Sequence, residues 1–144
     1  MCGASETGRA RLRGADVSKK ILIVDDEAHI RLLLEQTLDP LVDEGVELLT
    51  ASNGGEALDL ITKERPELVL LDVMMPVMNG FDVCKRVKGD ESLSGTFVMM
   101  LTAKGQELDR VTGAEVGADL YLTKPFDPDD VLRRAASVLG FENL

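Results

Sequence analysis

An α/β domain, doubly wound around a five-stranded parallel sheet, is the architecture this sequence predicts, on three observations. Short apolar runs alternate five times with segments of helical period, which is the pattern of successive strand-helix units. Three of the runs, ILIV at 21–24, LVLL at 68–71 and TFVMML at 96–101, are nearly unbroken, as strands covered on both faces require. Aromatic residues are scarce, with no Trp and one Tyr, so a core must come from Val, Leu, Ile, Met and Ala, a composition that suits this class.

The elements follow in order. Residues 1–18 are rich in Gly, Ser, Ala and Arg without usable periodicity, and are expected to form a flexible N-terminal extension ahead of one folded domain at 19–144. ILIV is the first strand and HIRLLLEQTL (29–38) its helix; VELLTA (46–51) is the second strand and GGEALDLITKE (54–64) its helix. LVLL leads to NGFDVCKRVK (79–88), where Asn79 and Gly80 are expected to start the helix. TFVMML leads to a Gly-rich helical stretch through Val116, and DLYLT (119–123) to a last helix near Asp129 to Leu139, capped by the acidic FDPDD (126–130). Right-handed crossovers between parallel strands leave few ways to connect such units.

Charge and cysteine usage exclude several functions. The net charge is −10, yet the first twenty residues hold Arg9, Arg11, Arg13, Lys19 and Lys20 against Glu6 and Asp16, leaving 11 bases and 24 acids on the rest. A body that acidic repels phosphate backbones, which argues against nucleic-acid contact by this domain. Cys2 and Cys84 have neither CxxC spacing nor a His cluster, which argues against a zinc site and a disulfide framework. No apolar run approaches the length of a membrane span and the start lacks a signal-peptide core, so a cytoplasmic protein is expected.

An open parallel sheet binds its ligands beyond the carboxyl ends of its strands. Strand one ends in Asp25, Asp26 and Glu27, strand three in Asp72, strand four in Thr102, and strand five in Lys124 followed by Pro125. Clustered carboxylates stay ionised only around a cation, and an all-oxygen set suits Mg²⁺. Asp26 and Asp72 are expected as direct ligands, Asp25 as the holder of a metal-bound water, and the backbone carbonyl of Met74 as a third ligand. A carboxylate beside Mg²⁺, an ammonium and a hydroxyl is equipped to attack phosphorus. Asp72 is then the nucleophile, with Lys124 and Thr102 contacting phosphoryl oxygens.

DDE at 25–27, LLDVMMPVMNG at 70–80, LTA at 101–103 and LTKPF at 122–126, in this order and spacing, resemble the receiver domains of two-component response regulators over about residues 19–141. The resemblance implies a flavodoxin-like (βα)5 fold with strand order 2-1-3-4-5, and transfer of a phosphoryl group to Asp72 from a histidine kinase or a phosphohistidine carrier. It implies a switch at Thr102 and Tyr121, which remodels a face of the fourth helix, fifth strand and fifth helix. It further implies that Met74 and Lys104 tune hydrolysis, and that a monomer dimerises, if at all, after phosphorylation. The downstream effector is not indicated.

Plainer readings compete. An Asp pair at a strand end can be only a turn and a helix cap; Asp72, Thr102 and Lys124 at the same edge weigh against that. His29 in the first helical turn reads as a solvated position, Cys84 as packed or partly exposed rather than reactive, and Met75 and Met78 as packing. As alternatives, the domain is a phosphorylation-independent docking module, or a Mg²⁺-dependent phosphohydrolase working through an aspartyl-phosphate. The second wants a carboxylate two residues beyond the nucleophile, where this chain has Met74. Flavin binding would want hydroxyl-rich and glycine loops with stacking aromatics, which the strand ends lack.

Overall fold

The computed structural model describes residues 19–75, 78–103 and 117–141. Five strands, β1 (Lys20–Val24), β2 (Glu47–Ala51), β3 (Leu68–Asp72), β4 (Phe97–Ala103) and β5 (Leu120–Lys124), form one sheet in the order β2-β1-β3-β4-β5. Every pair is parallel, with Ile21 opposite Leu48 and Leu68, Leu70 opposite Met99, and Thr102 opposite Thr123. The helices among the described residues are α1 (Ala28–Thr37), α2 (Asp39–Asp43), α3 (Gly54–Glu64), α4 (Gly80–Gly89) and α5 (Pro128–Leu139).

Strand side chains alternate between two cores, as the period of two demands. Ile21, Ile23, Leu68, Leu70, Met99 and Leu101 pack beneath α1, α2 and α5, against residues such as Leu34, Leu41 and Val131. Leu22, Val24, Val69, Leu71, Val98 and Met100 pack beneath α3 and α4, against Ala57, Ile61, Val83 and Val87. β3 is buried along its whole length because it is central and covered on both sides, whereas β2 and β5 are the edges and stay partly exposed. The three unbroken apolar runs are therefore the three inner strands.

Local chemistry starts the helices where the sequence marks them. The side chains of Asn53, Asn79 and Asp127 accept hydrogen bonds from the backbone N–H groups of Glu56, Asp82 and Asp129, at 2.8, 3.0 and 3.0 Å. α5 ends at Gly140, whose φ of +88° is the left-handed value that glycine adopts without strain. The short α2 was not anticipated. Pro40 in its first turn restarts a helix after α1, and buried Leu38 and Leu41 extend the same apolar face.

β4 runs to Ala103, past the apolar run, because its last residues pair with β5 through Ala103 and Lys124. At the opposite end, Asp119 locks the entry to β5. Its carboxylate accepts from Val98 N at 2.8 Å and pairs with Lys88 at 2.7 Å, and Lys88 also reaches the carbonyl of Thr96 at 2.7 Å. The expected extension at 1–18, Pro76, Lys104 and the helical stretch through Val116 lie outside the described residues. Among the described residues no helix is long and apolar enough to cross a membrane.

Candidate functional site

The chain leaves β1 toward β2 on one side and returns to β3 on the other, so the order in which strands are added reverses between β1 and β3. In open parallel sheets, ligands bind at the carboxyl edge beside such a reversal. Asp25 and Asp26 follow β1 and Asp72 ends β3, and one carboxylate oxygen of each lies within 4.8 Å of the others. Lys124, at the end of β5, reaches between two of them, 3.0 Å from Asp25 and 3.3 Å from Asp72. The shorter contact is to Asp25, so Lys124 serves both carboxylates and not Asp72 alone.

Asp25 is wholly buried and its polar atoms are engaged within the protein. Its N–H donates to Ala51 O at 3.2 Å, one carboxylate oxygen accepts from Glu27 N at 2.9 Å, and the other faces Lys124. Its carbonyl accepts from Arg31 Nη1 at 2.6 Å. Asp26, the next residue, is exposed. The pair thus divides into an anchored residue and one free to face a ligand.

Asp72 is 5 % exposed, and one of its carboxylate oxygens accepts from Met74 N at 3.3 Å. Burial first, and then the field of Asp25, push its carboxyl up to about 6, while Lys124 and the Met74 N–H pull the other way. Burial works against the charge on Lys124, but the hydrogen bond it donates to Asp25 and the field of Asp72 outweigh it, so the ammonium is held above its ordinary value. Two carboxylates and one ammonium leave the cluster short of positive charge. With Asp26 added, the donor set is all oxygen, which suits a hard divalent cation such as Mg²⁺.

The start of α4 lies tightly against the end of β3. Gly80 N donates to Val73 O at 3.0 Å, and a Cβ on Gly80 would sit 2.4 Å from the Asp72 carbonyl oxygen. Only glycine permits that approach, which explains why the sequence carries NG at the start of α4. Thr102, one residue past the register partner of Asp72, is buried at the rim. Met74 is 61 % exposed beside the cluster. Tyr121 is half-buried against the core beneath α3 and α4.

The plainer readings hold for the neighbours. His29 is exposed on the first turn of α1, Met75 is buried, and Met78 packs on the α3 and α4 side. Cys84 is buried, and burial pushes its thiol up to about 11, where it is unreactive at neutral pH. Sequence reasoning missed Arg31 and the Lys88–Asp119 clamp. Neither had a local signal: Arg31 reads as an ordinary polar residue of an amphipathic helix, and Lys88 and Asp119 meet only through the tertiary fold.

Similarity to known proteins spans the folded part of the chain. The profile of the response regulator receiver domain matches residues 21–136. "Probable transcriptional regulator ycf27" of Porphyra purpurea is 49 % identical over 121 residues, spanning 84 % of this chain and 47 % of that protein. The alkaline phosphatase synthesis transcriptional regulatory protein PhoP of Bacillus subtilis is 44 % identical over 123 residues, spanning 85 % of this chain and 49 % of that protein. The chain thus spans about half the length of the curated relatives it matches. Chemotaxis protein CheY4 of Vibrio cholerae superposes with a TM-score of 0.74 at 37 % identity, covering 85 % of this chain and 99 % of that one. With the strand order agreeing, the chain belongs to the response regulator receiver domain family, the signalling modules of two-component systems.

Proposed function

We propose that Asp72 is the phosphoacceptor of this receiver domain, taking a phosphoryl group from a phosphohistidine of a histidine kinase or phosphotransfer protein. The observation that carries this reading is the gathering of the Asp25, Asp26 and Asp72 carboxylates within 4.8 Å, with Lys124 between Asp25 and Asp72. A carboxylate oxygen of Asp72 bonds to phosphorus as the phosphorus-nitrogen bond breaks and the imidazole leaves, giving an acyl phosphate. Asp26, Asp72 and the Met74 carbonyl would hold Mg²⁺, and Asp25 would act through a water. When bound, Mg²⁺ supplies neutralisation of charge on the transferring phosphoryl oxygens. Lys124 and Thr102 supply the remaining contacts to those oxygens.

Desolvation, which pushes the Asp72 carboxyl up to about 6, still leaves it mostly ionised at neutral pH, as a nucleophile requires. Phosphorylation turns Thr102 and Tyr121 into a new arrangement, so the face around Tyr121 becomes the docking surface for a downstream effector, or for a second copy. Residues 19–144 form the receiver unit and 1–18 an extension, in the cytoplasm. Self-dephosphorylation is at most slow, with the exposed Met74 limiting access of water. Turnover as a phosphohydrolase is disfavoured because the position two beyond Asp72 is an exposed Met74, which cannot act as acid or base.

The test is intact mass after incubation with acetyl phosphate, with and without Mg²⁺, on the wild type and on Asp72→Asn. A Mg²⁺-dependent gain of one phosphoryl group in the wild type alone is expected. Stoichiometric labelling of Asp72→Asn would reject Asp72 as acceptor. No labelling of a wild type that binds Mg²⁺ would favour a docking module that works without phosphorylation.

A further inference from the structure

We propose that Arg31 is a positioning residue for the metal site: from α1 it holds the Asp25–Asp26 peptide in the orientation that presents Asp26 to the cation. The inference rests on the reading of the acidic cluster as a Mg²⁺ site. Asp26 is the exposed member of that cluster, and its side chain has no partner in the described structure that would aim it. The Cα and Cβ from which its carboxylate reaches the cation are set by the backbone on either side.

That backbone is held at three points, and Arg31 supplies one of them. The Asp25 N–H donates to Ala51 O at 3.2 Å, fixing the peptide before Asp25 to the edge strand β2. The Asp25 carboxylate accepts from Glu27 N at 2.9 Å, fixing the peptide after Asp26. Between them lies the peptide that joins Asp25 to Asp26, and its carbonyl oxygen takes the Arg31 Nη1 hydrogen bond at 2.6 Å. A peptide is planar, so its carbonyl direction fixes the Asp26 N–H and the position of the Asp26 Cα together. A guanidinium donor gives a stronger bond than a neutral one, and the contact is partly shielded from water.

Arg31 itself is well placed to hold. Its own N–H donates to Glu27 O at 3.1 Å within the first turn of α1, and α1 is seated by Leu34 in the core beneath it. The side chain therefore ties the metal loop to a rigid helix rather than to another loop. The assignment also has a consequence opposite to that of charge alone. A cation near a cation site opposes metal binding, so deleting Arg31 for its charge should tighten Mg²⁺. Deleting it as a support should weaken Mg²⁺.

The experiment measures Mg²⁺ binding by isothermal titration calorimetry, and the Mg²⁺ concentration for half-maximal phosphorylation by acetyl phosphate, on wild type, Arg31→Gln and Arg31→Lys. Metal-free thermal unfolding is followed alongside. Expected is about a tenfold weakening of Mg²⁺ in Arg31→Gln, with the maximal phosphorylation rate at saturating Mg²⁺ within about twofold of wild type, and partial recovery in Arg31→Lys. Mg²⁺ affinity in Arg31→Gln equal to or tighter than wild type would overturn the inference while leaving the metal site standing. A wild type that binds no Mg²⁺ would reject the site itself, and the role of Arg31 with it. If Arg31→Gln does not fold, Arg31→Met takes its place with the same two outcomes: weakened Mg²⁺ supports positioning, and Mg²⁺ equal to or tighter than wild type refutes it.

Discussion

Replacing Asp72 by Asn should stabilise the metal-free protein at neutral pH, although it removes an ion pair. In the unfolded chain the Asp72 carboxyl titrates near 3.8, and in the fold burial and the field of Asp25 raise it to about 6. Between these values the folded protein keeps a proton that the unfolded chain has released, so the contribution of Asp72 to stability falls as pH rises through the window. Above it, the ionised group destabilises the fold by about 3 kcal/mol, taken as an order of magnitude. Asn is nearly isosteric, removes the charge and forfeits the 3.3 Å contact with Lys124, but Lys124 keeps Asp25 at 3.0 Å. A net gain of about 1 to 3 kcal/mol follows, which for a domain of this size raises the melting temperature by roughly 5–10 °C. The assay is thermal or denaturant unfolding in a chelator from pH 4 to 8. The difference between variant and wild type should be small near pH 4, grow to about pH 6.5 and then level off. Mg²⁺ should stabilise the wild type more than the variant, because a cation offsets a charge that the variant lacks. A variant less stable than wild type at pH 7 without metal would refute the argument, for it would mean that the Lys124 contact outweighs the burial of Asp72.

Three further outcomes test the site from other directions. Asp26→Ala should leave stability within about 0.5 kcal/mol, since the side chain is exposed, yet weaken Mg²⁺ at least roughly tenfold by calorimetry. Lys124→Ala removes the only ammonium between the buried carboxylates among the described residues. It should destabilise the metal-free fold by about 1 to 3 kcal/mol in denaturant titrations, retain Mg²⁺, and lose the change in amide hydrogen exchange on phosphorylation. In Gly80→Ala the new methyl would lie 2.4 Å from the Asp72 carbonyl oxygen, so the loop must shift. Expected are a loss of about 2 kcal/mol or more in stability and a slower phosphorylation at saturating Mg²⁺ and acetyl phosphate.

Much of the fold was legible from local pattern. The inner strands announced themselves as unbroken apolar runs, because a strand buried on both faces has no use for a polar position. Asn79 and the acidic FDPDD marked helix starts because short polar side chains satisfy otherwise unpaired N–H groups, whereas the equivalent cap at Asn53 is seen only in the structure. The acidic residues and Lys124 stood out because each follows an apolar run, where a parallel sheet puts its ligand edge. α2 escaped the reading because a Pro after HIRLLLEQTL signals a stop as readily as a restart, and only packing of Leu41 in the core decides between them.

What the sequence determined by itself, then, is periodicity, caps and the residue types that reach the carboxyl edge, since these depend on neighbours within a few positions. What the tertiary structure alone decided is who meets whom. Lys124 and Asp25 stand 99 residues apart, and their contact exists because β1 and β5 end at the same edge of one sheet. The division between a buried, fully engaged Asp25 and an exposed Asp26 is invisible in the letters DD. The same holds for the Arg31 hydrogen bond and for the desolvation that raises Asp72, because burial and field are sums over atoms that only folding brings close.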